Sequence, residues 1–380
     1  MSLHLHWYLP TNGDSREIVG SGDDSHLGNG PSQRSLRAPT LDYLADVARA
    51  AERAGFEAVL TPTGTWCEDA WITTAALSQL TRRIRFLVAF RPGLISPTLA
   101  AHQAATFQRL TEGRLLLNIV TGGDPLEQKR FGDHFDHDQR YERTREFLTI
   151  LRGLAAVAPD RRYDFAGRHY QIEGAQIGFG EYGLPPLFFG GASPAAEDVA
   201  AETADVWLIW GEGPREAGER LARVRRLAEA KGRRISVGIR LHVIGRETEK
   251  LAWQEAQRLI STISLERVTK AHEILARTQS VGQQVMTALA TRHAEKALAG
   301  GDVRALEVSP NLWAGYGLVR GGAGTALVGS HAQVADRIAE YHALGFEHFI
   351  LSGQPHIEEA WAFGEGAGAI LRDRGLVATG

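Results

Sequence analysis

Eight short apolar runs, set apart by stretches of helical periodicity, constrain the fold of this chain more than any other feature. They span Leu3–Leu9, Ala58–Thr61, Arg85–Phe90, Leu115–Val120, Leu187–Phe189, Val206–Trp210, Ser236–Ile244 and Phe349–Leu351. Several are apolar without alternation, as parallel strands covered on both faces should be. The intervening stretches carry helix signals. Ser96-Pro97 supplies an N-cap and a first-turn proline, with Gly113 beyond the end. Thr40 to Gly55 and Ser330 to Gly345 read the same way. Eight strand–helix alternations are the count of a (β/α)8 TIM barrel. The length alone also admits two domains, but no internal repeat or separate second domain is visible in the 380 residues.

A minimal barrel of this kind needs about 250 residues, so roughly 130 must lie in insertions. Three places can hold them: residues 15–39, 122–183 and 245–329. The first is rich in Gly, Ser and Asp and reads as a long loop. The second contains charged helical sequence and then Tyr163–Ile172, which reads as a hairpin. The third holds a helix near Glu247–Ile260 and ends in Asn311–Gly329, where an apolar segment, Arg320 and the glycines 321, 322 and 324 follow one another. That composition suits a mobile loop, about 311–329, closing over a site and delivering one guanidinium to an anion. A glycine-rich surface connection is the alternative.

The formal net charge of −3 and the lack of a basic run give no reason to expect a nucleic-acid partner. No apolar run approaches a membrane span, and the first residues lack a basic segment leading into an apolar core. The single cysteine, Cys67, excludes an internal disulfide and a cysteine-rich zinc site. A cytoplasmic enzyme without a metal is the expectation. The fourteen histidines show no HxH or HExxH pair with a third ligand, and no GxSxG, Walker or GxGxxG fingerprint stands in a strand–turn–helix setting.

In such a barrel the working residues lie at the C-terminal strand ends. That rule selects Asn12, Cys67, Asn118, Thr121, Gly191, Ser193, Arg240, His242, Gln354 and His356. Arg240 and His242 alternate with Ile239, Leu241 and Val243, so both face the barrel interior. They form either an anion subsite or, for the arginine, a structural pair with a neighbouring carboxylate. Gly190-Gly191-Ala192-Ser193-Pro194 opens a helix whose free N–H groups favour a phosphate, although a plain tight turn reads the same. Nothing near Cys67 shows what would activate it as a nucleophile, so a thiol lining the site is expected.

Across nearly the full length the sequence resembles the two-component, FMNH2-dependent alkanesulfonate monooxygenases of the bacterial luciferase-like superfamily. The resemblance is carried in order by WYLPTNGD, PTGTWCEDAW, FLVAFRPGLISPT, NIVTGGDP, FFGGAS, WLIWGEGP, GIRLHVIGRET, EVSPNLWAGYGLVRGGAGTALVG and LSGQPHIEEA. It implies a single luciferase-like TIM-barrel domain over residues 1–380, and a homodimer or homotetramer. FMNH2 would come from a separate NAD(P)H-dependent flavin reductase, with O2 as co-substrate. It implies flavin contacts from Asn118, Thr121, His137, Tyr141, Gly191 and Ser193. A sulfonate site would be formed by Arg240, His242, Arg320 and His356, with Cys67 nearby. The products implied are sulfite and an aldehyde, with Arg240 or His242 handling the proton on the carbon that bears sulfur. Histidine is the easier base and arginine needs strong activation.

Simple-alkyl members of that family usually read PTHGD, PTGRSCEDAW and SGYPH, whereas this chain has Asn12, Thr65-Trp66 and Gln354 at the differing positions. Amides that both donate and accept, with Trp66 and Trp207 as stacking faces, suit a polyhydroxylated ligand. The branch expected is the sulfoquinovose monooxygenases, giving 6-oxo-glucose and sulfite. The competing readings are a linear alkanesulfonate, a flavin- or deazaflavin-dependent oxidoreductase with another substrate, and a flavin- or sulfonate-binding protein without turnover.

Overall fold

The structure, a computed structural model, describes residues 2–18 and 37–377; of the predicted insertion 15–39, residues 19–36 lie outside that range. Eight parallel strands close on themselves: β1 (His4–Tyr8), β2 (Ala58–Thr61), β3 (Arg85–Phe90), β4 (Leu115–Ile119), β5 (Leu187–Gly190), β6 (Val206–Trp210), β7 (Ser236–Arg246) and β8 (His348–Ser352). β8 pairs with β1 through Phe349 opposite Leu5, and with β7 through Ile350 opposite Arg240, which completes the barrel. All eight predicted strands are present.

Alternation sorts each strand's side chains. Leu60, Leu87, Leu116, Phe188, Leu208 and Ile350 fill the barrel interior. Their neighbours, such as Val59, Phe86, Leu117 and Phe189, pack against the outer helices. The helices begin where the capping residues predict. Ser96 Oγ accepts from Leu99 N ahead of helix Pro97–Thr111. Ser330 and Gln333 form a reciprocal box at the start of His331–Leu344, and Gly345 ends it in the left-handed conformation. The hairpin in the second insertion is present as Tyr163–Ala166 paired antiparallel with Gln171–Ala175.

The third insertion departs most from expectation. Beyond the predicted helix, Glu249–Ile260, it contains Leu265–Leu275 and Val281–Thr291, which the sequence reading missed. The glycine-rich run is also not a lid. Leu312–Trp313 pairs antiparallel with Ala326–Leu327, and Ala326–Ser330 lies parallel to the upper half of β7. Residues 312–321 and 323–329 are buried. Trp313, Tyr316, Leu318 and Val319 form a second core with Trp253, Ala256 and Leu259 of the inserted helix. The glycines serve close approach: Gly317 N donates to Gly324 O at 2.9 Å, and a Cβ on Gly324 would meet Gly317 Cα at 3.0 Å. Apolar burial outweighs the backbone freedom that glycine content suggested.

Candidate active site

A cavity of about 380 Å³ opens at the C-terminal ends of the strands, within the range of roughly 300–1,000 Å³ usual for small-molecule sites. It brings together ten of the fifteen predicted site residues. Asn118, Thr121, His137, Tyr141, Gly191 and Ser193 line one side, and Arg240, His242, Arg320 and Trp66 line the rest.

The first side has the features of a cofactor cradle. Asn118 is buried and its Oδ1 has no partner among the described residues. Gly191 adopts φ 153°, and a Cβ there would meet Ala196 Cβ at 2.6 Å and Tyr141 Oη at 3.1 Å, so only glycine leaves the space open. Ser193 caps helix Pro194–Thr203 through Ala196 N at 3.2 Å, presenting further helix N–H groups toward the turn. An unsatisfied acceptor, a glycine opening and a helix N-terminus fit the ring and phosphate of a flavin mononucleotide. The capping bond bears out the tight strand-to-helix turn.

The other side is cationic. Arg240 Nη1 donates to Leu241 O at 2.8 Å and to Ser352 Oγ at 3.0 Å. Ser352 Oγ lies 2.7 Å from His242 Nδ1, while His242 Nε2 lies 3.0 Å from Ala323 O. A carbonyl only accepts, so Nε2 carries the hydrogen and Nδ1 accepts from Ser352. Tyr316 stacks on His242 at 3.8 Å with an interplanar angle of 3°. Burial, together with the charges of Arg320 and Arg240, holds His242 neutral, well below the usual histidine range. Burial first, and the like charge of Arg320 second, bring Arg240 down to about 9. The carboxylate partner considered for Arg240 is absent among the described residues. Of the nearby acids, Glu359 is taken by Arg246 and Asp14 by His356.

Some predicted residues lie elsewhere. Trp207 is fully buried among the outer helices, its Nε1 donating to Gly191 O at 2.8 Å. It is not a stacking face: the β6 residues that line the cavity are Leu208, Ile209 and Trp210. His356 stands behind the cavity, with its ring centroid 5.8 Å from that of Tyr8 and its Nδ1 2.9 Å from Asp14 Oδ1. It supports the site and does not line it. Asn12, Cys67 and Gln354 are likewise outside the lining. Burial pushes the Cys67 thiol up to about 12, so it is a thiol and not a ready nucleophile.

The structure adds residues that the sequence reading passed over. Tyr8 reaches the cavity from β1, Trp210 from β6, Gln279 and Ser280 from the connection ahead of helix Val281–Thr291, and Gln283 from that helix. Arg91 also lines it, bound to the buried Glu127 at 2.6 Å, and Glu127 in turn accepts from Thr65 N at 3.0 Å beside Trp66. Period-two alternation could have found Tyr8, since His4, His6 and Tyr8 share the face opposite Leu5 and Trp7.

The family model for luciferase-like monooxygenases matches residues 20–348. Among solved structures, a riboflavin lyase with modified FMN and riboflavin superposes with a TM-score of 0.77 at 21% identity, covering 100% of this chain and 93% of that one. EDTA monooxygenase from Chelativorans sp. BNC1 gives 0.74 at 19% identity, with 100% and 95% covered. A long-chain alkane monooxygenase gives 0.69 at 19% identity, with 100% and 93% covered. At these identities the superpositions speak for the fold.

Proposed function

The chain belongs to the luciferase-like monooxygenase family, and from that premise we propose that it is an FMNH2- and O2-dependent monooxygenase cleaving the C–S bond of an organosulfonate. The observation that carries this reading is the pair of buried guanidiniums, Arg240 and Arg320, lining one cavity with a flavin-shaped cradle, neither of them ion-paired with a carboxylate among the described residues. Two uncompensated buried cations are unfavourable unless an anion joins them. A sulfonate is charged at every physiological pH and accepts from forked donors.

In the overall reaction one oxygen atom enters the aldehyde and the other leaves as water. The sulfonate departs as sulfite, and reduced flavin supplies two electrons. FMNH2, when bound, supplies the oxygen activation. Asn118, Tyr141, Gly191 and Ser193 would hold it, and Arg240 and Arg320 would hold the sulfonate. Proton handling falls to Arg240 rather than to His242, since both histidine nitrogens are engaged and the ring is held neutral. Arg240, brought down to about 9, gives its proton up to solvent while Ser352 Oγ stays bonded to neutral His242 Nδ1. The neutral Arg240 then accepts the proton from the carbon that bears sulfur.

Sulfoquinovose is the leading substrate, with 6-oxo-glucose as product. Trp66 and Trp210 offer ring faces in the cavity, and Gln279, Ser280 and Gln283 give it a polar wall. A linear alkanesulfonate is the second reading, favoured by the exclusion of Asn12, Gln354 and Trp207 from the lining. An NAD(P)H-dependent flavin reductase would supply FMNH2, and a homodimer or homotetramer is the assembly proposed. Sulfite release measured with FMN, such a reductase and a panel of sulfonates tests the assignment. Sulfoquinovose is expected to react fastest. Sulfite from linear alkanesulfonates alone would establish the second reading, and none from any sulfonate would refute both.

A further inference from the structure

Tyr8 occupies an unusual position between the two cations. Its ring lies 4.8 Å from Arg240 Cζ and 5.7 Å from Arg320 Cζ. The residue is only 5% exposed, and it lines the cavity. β8 separates β1 from β7, so Tyr8 and Arg240 approach the same space from either side of Ile350. Arg320 approaches from the segment ahead of Ala326–Ser330, which pairs with the upper part of β7. Three donors therefore converge from three separate stretches of backbone.

The hydrogen-bond roles are fixed by valence. A guanidinium only donates, so where Arg320 meets the Tyr8 hydroxyl the phenol oxygen accepts. The phenol hydrogen is left to point elsewhere, and among the described residues no acceptor is paired with it. Burial, the larger effect, pushes the phenol up to about 12 against the opposing pull of Arg320 and Arg240, so it keeps its proton and can donate to an anion.

Resting on the sulfonate reading above, we propose that Tyr8 is a specificity-determining residue that donates to the third oxygen of the bound anion. Arg240 and Arg320 bind the first two oxygens, an arrangement that a carboxylate satisfies equally well. The phenol adds a donor that only a tetrahedral anion with three terminal oxygens can use. The chain thereby separates an organosulfonate from the carboxylate of matching carbon skeleton, and it does so with a neutral group that leaves the cationic charge of the site unchanged.

The test is Tyr8→Phe, which keeps the ring and the cation–π contacts and removes only the hydroxyl. Affinities are measured calorimetrically on the FMN-loaded protein for two pairs of equal carbon number, sulfoquinovose with glucuronate and octanesulfonate with octanoate. The variant is expected to lose about tenfold in sulfonate affinity while its carboxylate and FMN affinities stay within about twofold. In the unmodified protein, sulfonate but not carboxylate should perturb the tyrosine ultraviolet difference spectrum, and Tyr8→Phe should abolish that signal. Unchanged sulfonate affinity in the variant, or equal losses for sulfonate and carboxylate, would overturn the assignment of Tyr8 and leave the enzyme reading intact. An unmodified protein that binds neither sulfonate would overturn the enzyme reading, and the role of Tyr8 with it.

Discussion

On the proposed function, the buried guanidinium of Arg240 has two duties that oppose each other in pH. As a holder of the sulfonate it must be charged, and in the free protein it is so below about 9. As a base it must be neutral, and the bound anion favours the charged form. The Michaelis constant for sulfonate is therefore expected to climb above about 9, while kcat keeps rising to a limb displaced beyond that value. Steady-state profiles of sulfite release resolve the two, and coincident limbs would contradict a shared residue. Arg240→Ala should lower sulfite release by about 100-fold or more, with FMN affinity within about twofold. Arg240 and His242 were legible in the sequence because a polar pair two residues apart on an apolar strand must share one face. Trp207 was misread because strand parity, and not residue type, decides what reaches the interior. Tyr8 escaped notice because an aromatic inside HLHWYL reads as core, although its alternation with His4 and His6 sets it on the polar face.

The long excursion between β7 and β8 shows how far element-level reading extends. Strands and capped helices of the barrel itself followed from periodicity and terminal residues, which are local. Helices Leu265–Leu275 and Val281–Thr291 were missed although Ser264 and Ser280 cap them, because their apolar stripes are short and face a partner chosen by tertiary packing. The Gly317–Gly324 contact was invisible for the same reason. It yields a test of the packed arrangement. Gly324→Ala places a methyl against the Gly317 backbone and should cost about 1–3 kcal/mol in denaturant unfolding. Sulfite release should fall alongside, since Arg320 lies between the two glycines in the chain. Unaltered stability would mean that the run is loose after all.

For the molecule as a whole, the barrel floor sets an acid limit. His6 Nε2 lies 3.0 Å from His348 Nδ1, and the two rings stack at 5.3 Å between centroids. Burial lowers His6 to about 4 and holds His348 well below its ordinary range. Both are neutral when folded and take up protons first when unfolded. Stability should thus be full above about 6.5 and decline as pH falls toward 4, by roughly 3 kcal/mol from His6 alone. Urea unfolding from pH 7 to 4 checks this, and His6→Gln should flatten the decline. At the opposite end of the barrel, the burial of residues 312–321 dictates how a ligand must load. Arg320 is a buried part of the cavity wall, whereas Gln279 on the same wall is exposed and Trp66 half-buried. An anionic molecule must travel in charge-first and leave its other end at the entrance. Chain length and bulk are then tolerated at the tail, while the head group meets a fixed stop.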